Sequence, residues 1–416
     1  MDLCSLALAW RKEIIRGKSK KFLFWQFLLL QEGRRKMAQL RFMTAGESHG
    51  PALTAILEGL PAGLRLDLDK INRDLARRQQ GYGRGGRMKI ETDKAEILSG
   101  LRFGETIGGP LTIQVKNKDF ANWTDRMAAF GEPAGEKVTA ARPGHADLTG
   151  IEKYDREDIR DILERSSARE TTMRVAAGAV AKQFLSALGM EISSRVLNIG
   201  GVAADAAKTD GNEASELNCR DADAEERMKA KIREAKEAGD TLGGVFEVVV
   251  TGAPVGLGSH IQWDRRLDAR LAGAMMSIQA VKGVEIGEGF GYALLPGSLA
   301  HDEMFYDGEG RVVRKTNRAG GLEGGMTNGE PIVVRAVMKP IPTLMQPLHS
   351  VDIAEKKAVL ASKERSDVCA VSAASVVGEA MTALVVAAAV VEKFGGDAMR
   401  DLLEAVRAYK ARIEEK

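Results

Sequence analysis

RRQQGYGRGGRMKIETDK, residues 77–94, is the stretch on whose reading the fold turns. Arg77, Arg78, Arg84 and Arg87 fall within eleven residues, separated by glycines and one tyrosine. Two structures suit such a run. A flexible arginine–glycine arm hung from a domain grips nucleic acid. A folded loop instead gathers its arginines around a small anion. The run holds one RGG rather than a series, its aromatic interleaving stops at Tyr82, and an acidic ETD follows at 91–93. LDKINRDLARRQQ (68–80) has helical spacing and precedes it, and KIETDKAEILSG (89–100) reads as a strand and follows it. Guanidinium forks suit bidentate contacts to phosphate and carboxylate. The folded anion pocket is therefore the preferred reading, and an RGG-type RNA-binding protein is the alternative.

The totals agree with a folded domain. The chain has 416 residues, 44% hydrophobic and 28% charged, which is ample for a large core. Net charge is +2, but residues 1–36 hold nine of the 60 Lys/Arg and only three of the 58 Asp/Glu. The remainder carries 51 basic and 55 acidic side chains and is net acidic. Such a body is a poor general polyanion binder, so any anion site must be local and built from converging side chains. Cys4, Cys219 and Cys369 form no CxxC and no disulfide framework, which fits a reducing cytoplasm. Histidines 49, 145, 260, 301 and 349 show no metal-ligand spacing, so no metal site is expected.

FLFWQFLLL (22–30) follows a basic segment in the manner of a signal peptide, but QEGRRK stands where small cleavage-site residues belong. It is also too short to span a bilayer. Residues 1–36 read as a dispensable extension or a mis-assigned start, with a single domain over 37–416. A membrane-surface or targeting helix is the alternative for the extension. VVAAAVV (385–391) is likewise short and reads as part of a buried helix.

Within the body, LRFMTAG and ALTAILEGL read as strands joined across Glu47–Pro51, and GPLTIQVKN as another. Residues 119–141 read as a polar loop. A helix is expected to open at Tyr154–Asp158 with Asp155 as N-cap, and to run through ARETTMRVAAGAVAKQFLSAL to a stop at Gly189. MEISSRVLNIGG, GGVFEVVVTGAPVG and PIVVRAVMKPIPT read as strands, 223–237 and RRLDARLAGAMMSIQAV as helices, and alanine-rich helices close the chain. The sum is one integrated α+β domain.

Several segments carry chemistry. GESHG (46–50) sets Ser48 and His49 in a glycine-bounded turn, and a histidine at a strand end is a good proton donor or acceptor near neutral pH. The pattern also matches a nucleophile elbow, but a strand rather than a helix follows, so the esterase context fails. ARPGHADLTG (141–150) offers Arg142 and His145 in a turn. ERSSARETTMR (164–174) places Arg165 and Arg169 four apart, on one face of an expected helix, where an anion between them relieves their repulsion. Ser166 and Ser167 add hydroxyl donors. KPIPT (339–343) is a stiffened strand end with one cation, GGLEGG (320–325) permits close backbone approach, and RSDVC (365–369) pairs Arg365 with Asp367.

Taken in order, GESHGPALTAILEGLP (46–61), ERSSARETTMRVAAGAV (164–180) and RSDVCAVSAASVVGEAM (365–381) closely resemble the chorismate synthase family. GYGRGGRMKIETDKAEILSGLRFGETIGGPL and RPGHADLTGIEKY add to the likeness, which covers about residues 37–405. The resemblance implies a β-α-β sandwich, two antiparallel sheets enclosing long helices, usually assembled as a homotetramer in the cytoplasm. It implies a lyase that converts 5-enolpyruvylshikimate 3-phosphate to chorismate and phosphate and depends on reduced FMN. Arg78, Arg84, Arg87, Arg142, Arg169 and Arg365 are then expected around the substrate anions. His49 is expected to protonate the departing phosphate and His145 the reduced flavin, while Asp367 assists proton removal through flavin N5. FMN is expected against Arg165, Ser166, Ser167, Gln279, Ala280, Gly324, Lys339, Pro340, Ile341, Pro342, Thr343 and Arg365. Some members carry an NADPH-dependent flavin reductase activity, with Arg78 and Arg84 implicated in nucleotide contact. No nucleic-acid or membrane partner is implied. The alternatives are a flavin-binding protein without lyase activity and the RNA-binding arm.

Overall fold

The computed structural model describes residues 40–85, 91–363 and 366–415. The reading of 1–36 as an extension lies outside them.

Alternation builds the first sheet. In β2 (Ala52–Glu58), Leu53, Ala55 and Leu57 are fully buried while their neighbours face out. It pairs with β1 (Arg41–Ala45) on one side and β4 (Leu111–Lys116) on the other, and β3 (Glu96–Ser99) completes the antiparallel order β1-β2-β4-β3. The register sets Leu53 opposite Val115, Ala55 opposite Ile113 and Leu57 opposite Leu111, so one face is continuous and apolar. The second sheet is also antiparallel. Its strands are β5 (Glu191–Ile199), β6 (Val202–Ala203), β7 (Gly244–Thr251), β8 (Val281–Ile286) and β9 (Ile332–Met338), in the order β8-β9-β7-β5-β6.

Helices fill the space between. α1 (Leu68–Gln79) is capped by Asp67, whose side chain accepts from Asp69 N–H, and it buries Ile71, Asp74, Leu75 and Arg78 at helical spacing. That phase turns Arg78 inward. α4 (Thr171–Ser186) packs on β2, β4 and α1. α7 (Val371–Phe394) packs on α4 from the other side and on β5 and β7. Gly178 makes the α4–α7 crossing close, since a Cβ there would lie 2.3 Å from Ala380 Cβ. The expected sandwich of two antiparallel sheets around long helices is what the chain forms.

α7 is longer than its VVAAAVV core predicts. Its 24 residues are long and apolar enough to cross a membrane, yet 94% of the most apolar window is buried inside the protein. The expected long helix from 154 to 188 is instead two helices joined by a short 3₁₀ turn at Ala168–Glu170, and it does not open at 154. Asp155 is no N-cap; it ends α2 (Asp147–Tyr154) in the left-handed conformation, φ 51. α3 (Arg160–Ser166) follows, and Ser167 then breaks the path with ψ 139 before α4 begins. Of KIETDKAEILSG, only Glu96–Ser99 is strand among the described residues. Two further helices, α5 (Ala222–Glu237) and α6 (Leu267–Met276), sit where helical spacing places them, and α8 (Met399–Glu414) ends the chain.

Candidate active site

The turn between β1 and β2 carries His49. It can close because Gly46 adopts φ 109, and a Cβ there would meet Ala52 O at 2.4 Å. Glu164, at the end of α3, then grips His49 twice. Glu164 Oε2 accepts the His49 backbone N–H at 2.7 Å, and Oε1 lies 2.8 Å from ring Nδ1. Burial pushes the Glu164 carboxyl up, but the bonds and charge from His49, with Arg160 behind, outweigh it and hold it below its usual range. Trp123 stacks on the imidazole at 4.1 Å, and Arg160 lies over the indole at 5.0 Å. The supposed polar loop 119–141 therefore supplies a wall of the site.

Asn117 joins this turn to the buried arginines. Its Nδ2 donates to Glu47 O and Gly50 O, while its Oδ1 accepts from Arg169 Nε (3.0 Å) and Nη2 (2.8 Å). Arg169 Nη1 also donates to both oxygens of Asp93, at 2.7 and 2.8 Å, and Arg78 Nη2 donates to the same carboxylate at 3.0 Å. Burial lowers the Arg78 guanidinium to about 10, opposed by Asp93 and reinforced by Arg169 and Arg84. Burial raises the Asp93 carboxyl, but Arg169 and Arg78 outweigh it and hold it low. Arg78 Nε has no hydrogen-bond partner among the described residues.

The arginine stretch is a folded loop over its described part. Val368 N–H donates to Gly83 O at 2.9 Å, and Gly85 N–H donates to Asp367 Oδ1 at 2.6 Å. Asp367 Oδ2 pairs with Arg84 Nε at 3.1 Å. Residues 81–85 are thus tied to the segment before α7, as a pocket requires and a free arm does not. Arg87 and Arg365 lie outside the described residues.

A second chain of contacts runs from His145. Its Nδ1 is 2.5 Å from Asp147 Oδ1, and Arg142 donates to Asp147 from Nε (2.8 Å) and Nη2 (3.0 Å). Burial pushes the Asp147 carboxyl up, but His145 and Arg142 outweigh it, holding it far below its usual range. Arg142 Nη1 donates to Thr343 Oγ1 at 3.1 Å, and Lys339 Nζ donates to Gly144 O at 2.6 Å. Pro342 packs near Gly144, and Ile341 O accepts from Thr241 Oγ1 at 2.7 Å. Lys339 N–H donates to Ala280 O at 2.9 Å, which brings in Gln279.

Gln279 lines a cleft of about 320 Å³ with Phe42, Thr44, Arg165, Glu170, Arg174, Ser277 and Met381. Arg165 donates from Nη2 to Thr44 O (2.8 Å) and from Nη1 to Gly46 O (3.3 Å), which closes the circuit back to the His49 turn. Arg165 and Arg169 do not share a helical face as expected. Ser167 extends the chain between them and accepts from Arg169 N–H, so one guanidinium goes to β1 and the other to Asp93. Ser166 Oγ donates to Leu163 O. The circuit fits a flavin in one respect: Gln279 Oε1 is buried and has no hydrogen-bond partner among the described residues, a loss of about 1–3 kcal/mol unless a bound N–H donor meets it.

Gly324 stands apart. Leu267 N–H, at the start of α6, donates to Gly325 O at 2.9 Å, while Gln279 follows the end of that ten-residue helix. The two ends are separated by about 15 Å. Gly324 has φ 59, which calls for glycine, yet a Cβ would have 3.9 Å of clearance.

These two contact networks occur in a fold that known proteins share. The family model for chorismate synthase matches residues 40–391. The chain belongs to the chorismate synthase family. It is 60% identical to the chorismate synthase of Syntrophotalea carbinolica, over 90% of this chain and 98% of that one. It is 58% identical to that of Geobacter sulfurreducens, over 89% and 100%. A crystal structure of chorismate synthase superposes with a TM-score of 0.74 at 45% identity, over 92% of this chain and 100% of the other. Chorismate synthases are lyases acting on a phosphate ester: they eliminate phosphate and a C6 proton from 5-enolpyruvylshikimate 3-phosphate to give chorismate, and they require a reduced flavin. Sequence reasoning missed Glu164, Asp93, Asn117 and Trp123. The acidic ETD after the arginines was the one signal that pointed to Asp93.

Proposed function

We propose that this chain carries out the 1,4-elimination in the space bounded by the two networks, with FMN as its flavin. The observation that carries this is the pairing of His49 with Glu164 beside a buried arginine cluster, at the point where both networks meet. Glu164 only accepts, so it holds a proton on Nδ1, and the proton to be given is the one on Nε2. Nε2 hands that proton to the phosphate as its bond to C3 breaks. A neutralised leaving group departs more readily.

Arg84, Arg142 and the Arg78–Arg169 pair, with Arg87 and Arg365, hold the substrate phosphate and carboxylates. Arg78 and Arg169, 4% and 3% exposed in their side chains, act chiefly by charge from behind. Asp367, aimed by Arg84 and Gly85, holds the proton that leaves C6. Reduced FMN, when bound, lends electron density to the substrate and recovers it, which keeps the reaction redox-neutral. Arg165, Ser166, Ser167, Gln279, Ala280 and Lys339–Thr343 hold that flavin, and His145, oriented by Asp147, donates to it. Gly324, at the other end of α6 from Gln279, and Arg365 join them.

The assignment is tested at Asp367. Asp367→Asn lowers turnover about a hundredfold, the lower end for a positioned proton-transfer group, and leaves flavin binding intact. With substrate deuterated at C6 the variant shows a larger isotope effect than the parent. An unchanged isotope effect and rate would remove Asp367 from the proton path.

We also propose a homotetramer in the cytoplasm, with NADPH as one source of reducing equivalents. Exposed apolar side chains support the assembly: Phe290, Leu294, Met304 and Tyr306 are 79%, 86%, 63% and 76% exposed. Sedimentation gives the mass. Removal of residues 1–36 leaves specific activity unchanged, in keeping with a family match that starts at residue 40. An insoluble or inactive product makes that segment part of the fold.

A further inference from the structure

Glu91 opens the acidic ETD segment, and its side chain is 1% exposed. Gln79, the last residue of α1, fixes the backbone on both sides of Thr92. Its Nε2 donates to Glu91 O at 2.7 Å, and its Oε1 accepts from Asp93 N–H at 3.0 Å. From this strip Asp93 meets Arg169 and Arg78, while Glu91 meets the start of a 3₁₀ turn, Lys118–Asn122. The first N–H groups of such a turn find no partner within it. Asn117 stands at the N-cap and is of a type that caps well, yet its side chain makes no cap bond. Its amide is engaged by Glu47 O, Gly50 O and Arg169 instead. Glu91 takes over that role from a distant part of the chain. Its Oε2 accepts from Lys118 N–H at 3.1 Å, and its Oε1 lies 3.5 Å from Asp119 N.

The turn ends on Trp123, whose N–H donates to Phe120 O at 2.8 Å. This is the indole that lies 4.1 Å from the His49 ring. Trp123 is half-buried, and residues 121, 122 and 124–126 around it are exposed. Local packing is therefore thin, and the wound turn is what presents the indole to the imidazole. We infer that Glu91 is a positioning residue for the proton transfer: by capping the turn it keeps Trp123 against His49 and the imidazole aimed at the departing phosphate. The inference rests on the reading of His49 as the acid given above, and goes beyond it by naming the residue that holds the wall of that acid in place. A competing route runs through Arg169, whose Nη2 lies 3.6 Å from Glu91 Oε2. That route acts on the substrate anions and has a different kinetic signature.

The full chain is assayed with reduced FMN and 5-enolpyruvylshikimate 3-phosphate, and melting temperatures report the fold. Glu91→Ala lowers kcat about 10- to 100-fold, the loss that a misaimed reacting group produces, with KM little changed. Glu91→Gln keeps an uncharged acceptor for Lys118 N–H and loses only about 3- to 10-fold. In a His49→Ala background either change lowers kcat by less than about threefold, because no imidazole is left to aim. If Glu91→Ala does not fold, Glu91→Gln carries the same comparison. An equal loss with and without His49 overturns the inference, as does a parent-like kcat in the folded Glu91 variants. A raised KM at unchanged kcat also overturns it and assigns Glu91 to Arg169. If His49→Ala alone keeps the parent's kcat, the acid reading falls and takes this inference with it.

Discussion

Alanine at position 49 slows chorismate formation by about 10²–10⁴-fold, the usual loss when a positioned proton-transfer group is removed. The geometry gives the reason. His49 has one ring nitrogen committed to Glu164 at 2.8 Å and its backbone N–H committed to the same carboxylate at 2.7 Å. The ring is stacked on Trp123 and cannot turn freely. The other ring nitrogen, Nε2, is thereby held in place to give a proton. Alanine at position 145 acts over the same range, since His145 is fixed by Asp147 in the same manner. Steady-state turnover with reduced flavin checks both, and flavin titration shows that binding survives. Near-normal turnover in both variants would contradict the acid–base assignments. Glu164→Gln keeps the shape and loses the charge that steadies the ring while it carries the transferred proton, so it lowers turnover.

The second large effect is on stability. Glu379→Ala destabilises the fold by about 3–5 kcal/mol. Glu379 lies on α7 with its side chain 1% exposed, and it accepts from Arg77 Nη1 (2.7 Å) and Nη2 (2.6 Å), Lys182 Nζ (2.7 Å) and Ser194 Oγ (2.7 Å). α1, α4, α7 and β5 therefore meet at one carboxylate. Burial pushes the Glu379 carboxyl up, but Arg77 and Lys182 outweigh it and bring it down to about 2. Among the described residues, truncation leaves those two cations with Asp74 as their shared carboxylate. The pH dependence follows from the sign of the shift. A depressed carboxyl contributes fully above its unfolded value, about 4.3, and that stability drains away as pH falls toward 2. Denaturant unfolding at pH 7 and at pH 3 reads both effects. A loss below about 1 kcal/mol at pH 7 would show that the cluster adds nothing net, which exposed pairs often do not.

How far the residues foretell this arrangement depends on the kind of signal. Leu53, Ala55 and Leu57 alternate with polar or exposed neighbours, so β2 is legible at once. Ile71, Leu75 and Arg78 share a helical phase, which announces α1 and which way Arg78 turns. The break at Ser167 is not legible. No glycine or proline marks it, and it exists because the serine caps the next turn while Arg165 and Arg169 find different partners. Asp155 misleads for a related reason: an aspartate serves as N-cap or takes the left-handed position after a helix, and local sequence does not choose. In the site, the histidines and arginines stand out by type. Glu164, Asp93 and Asn117 do not, because their importance lies in long-range contacts, across 115 residues for Glu164 to His49. Gly324 and Gln279 lie at opposite ends of α6, a placement that local sequence does not announce.

The central claim is that this chain eliminates phosphate with a reduced flavin and no net oxidation. The direct test is anaerobic. Protein, FMN, dithionite and 5-enolpyruvylshikimate 3-phosphate are mixed, and chorismate absorbance and free phosphate are followed together. One chorismate per phosphate, over many turnovers per flavin, and none when the flavin is left oxidised, is the predicted result. Tight flavin binding without product, or product formed equally well with oxidised flavin, would contradict it.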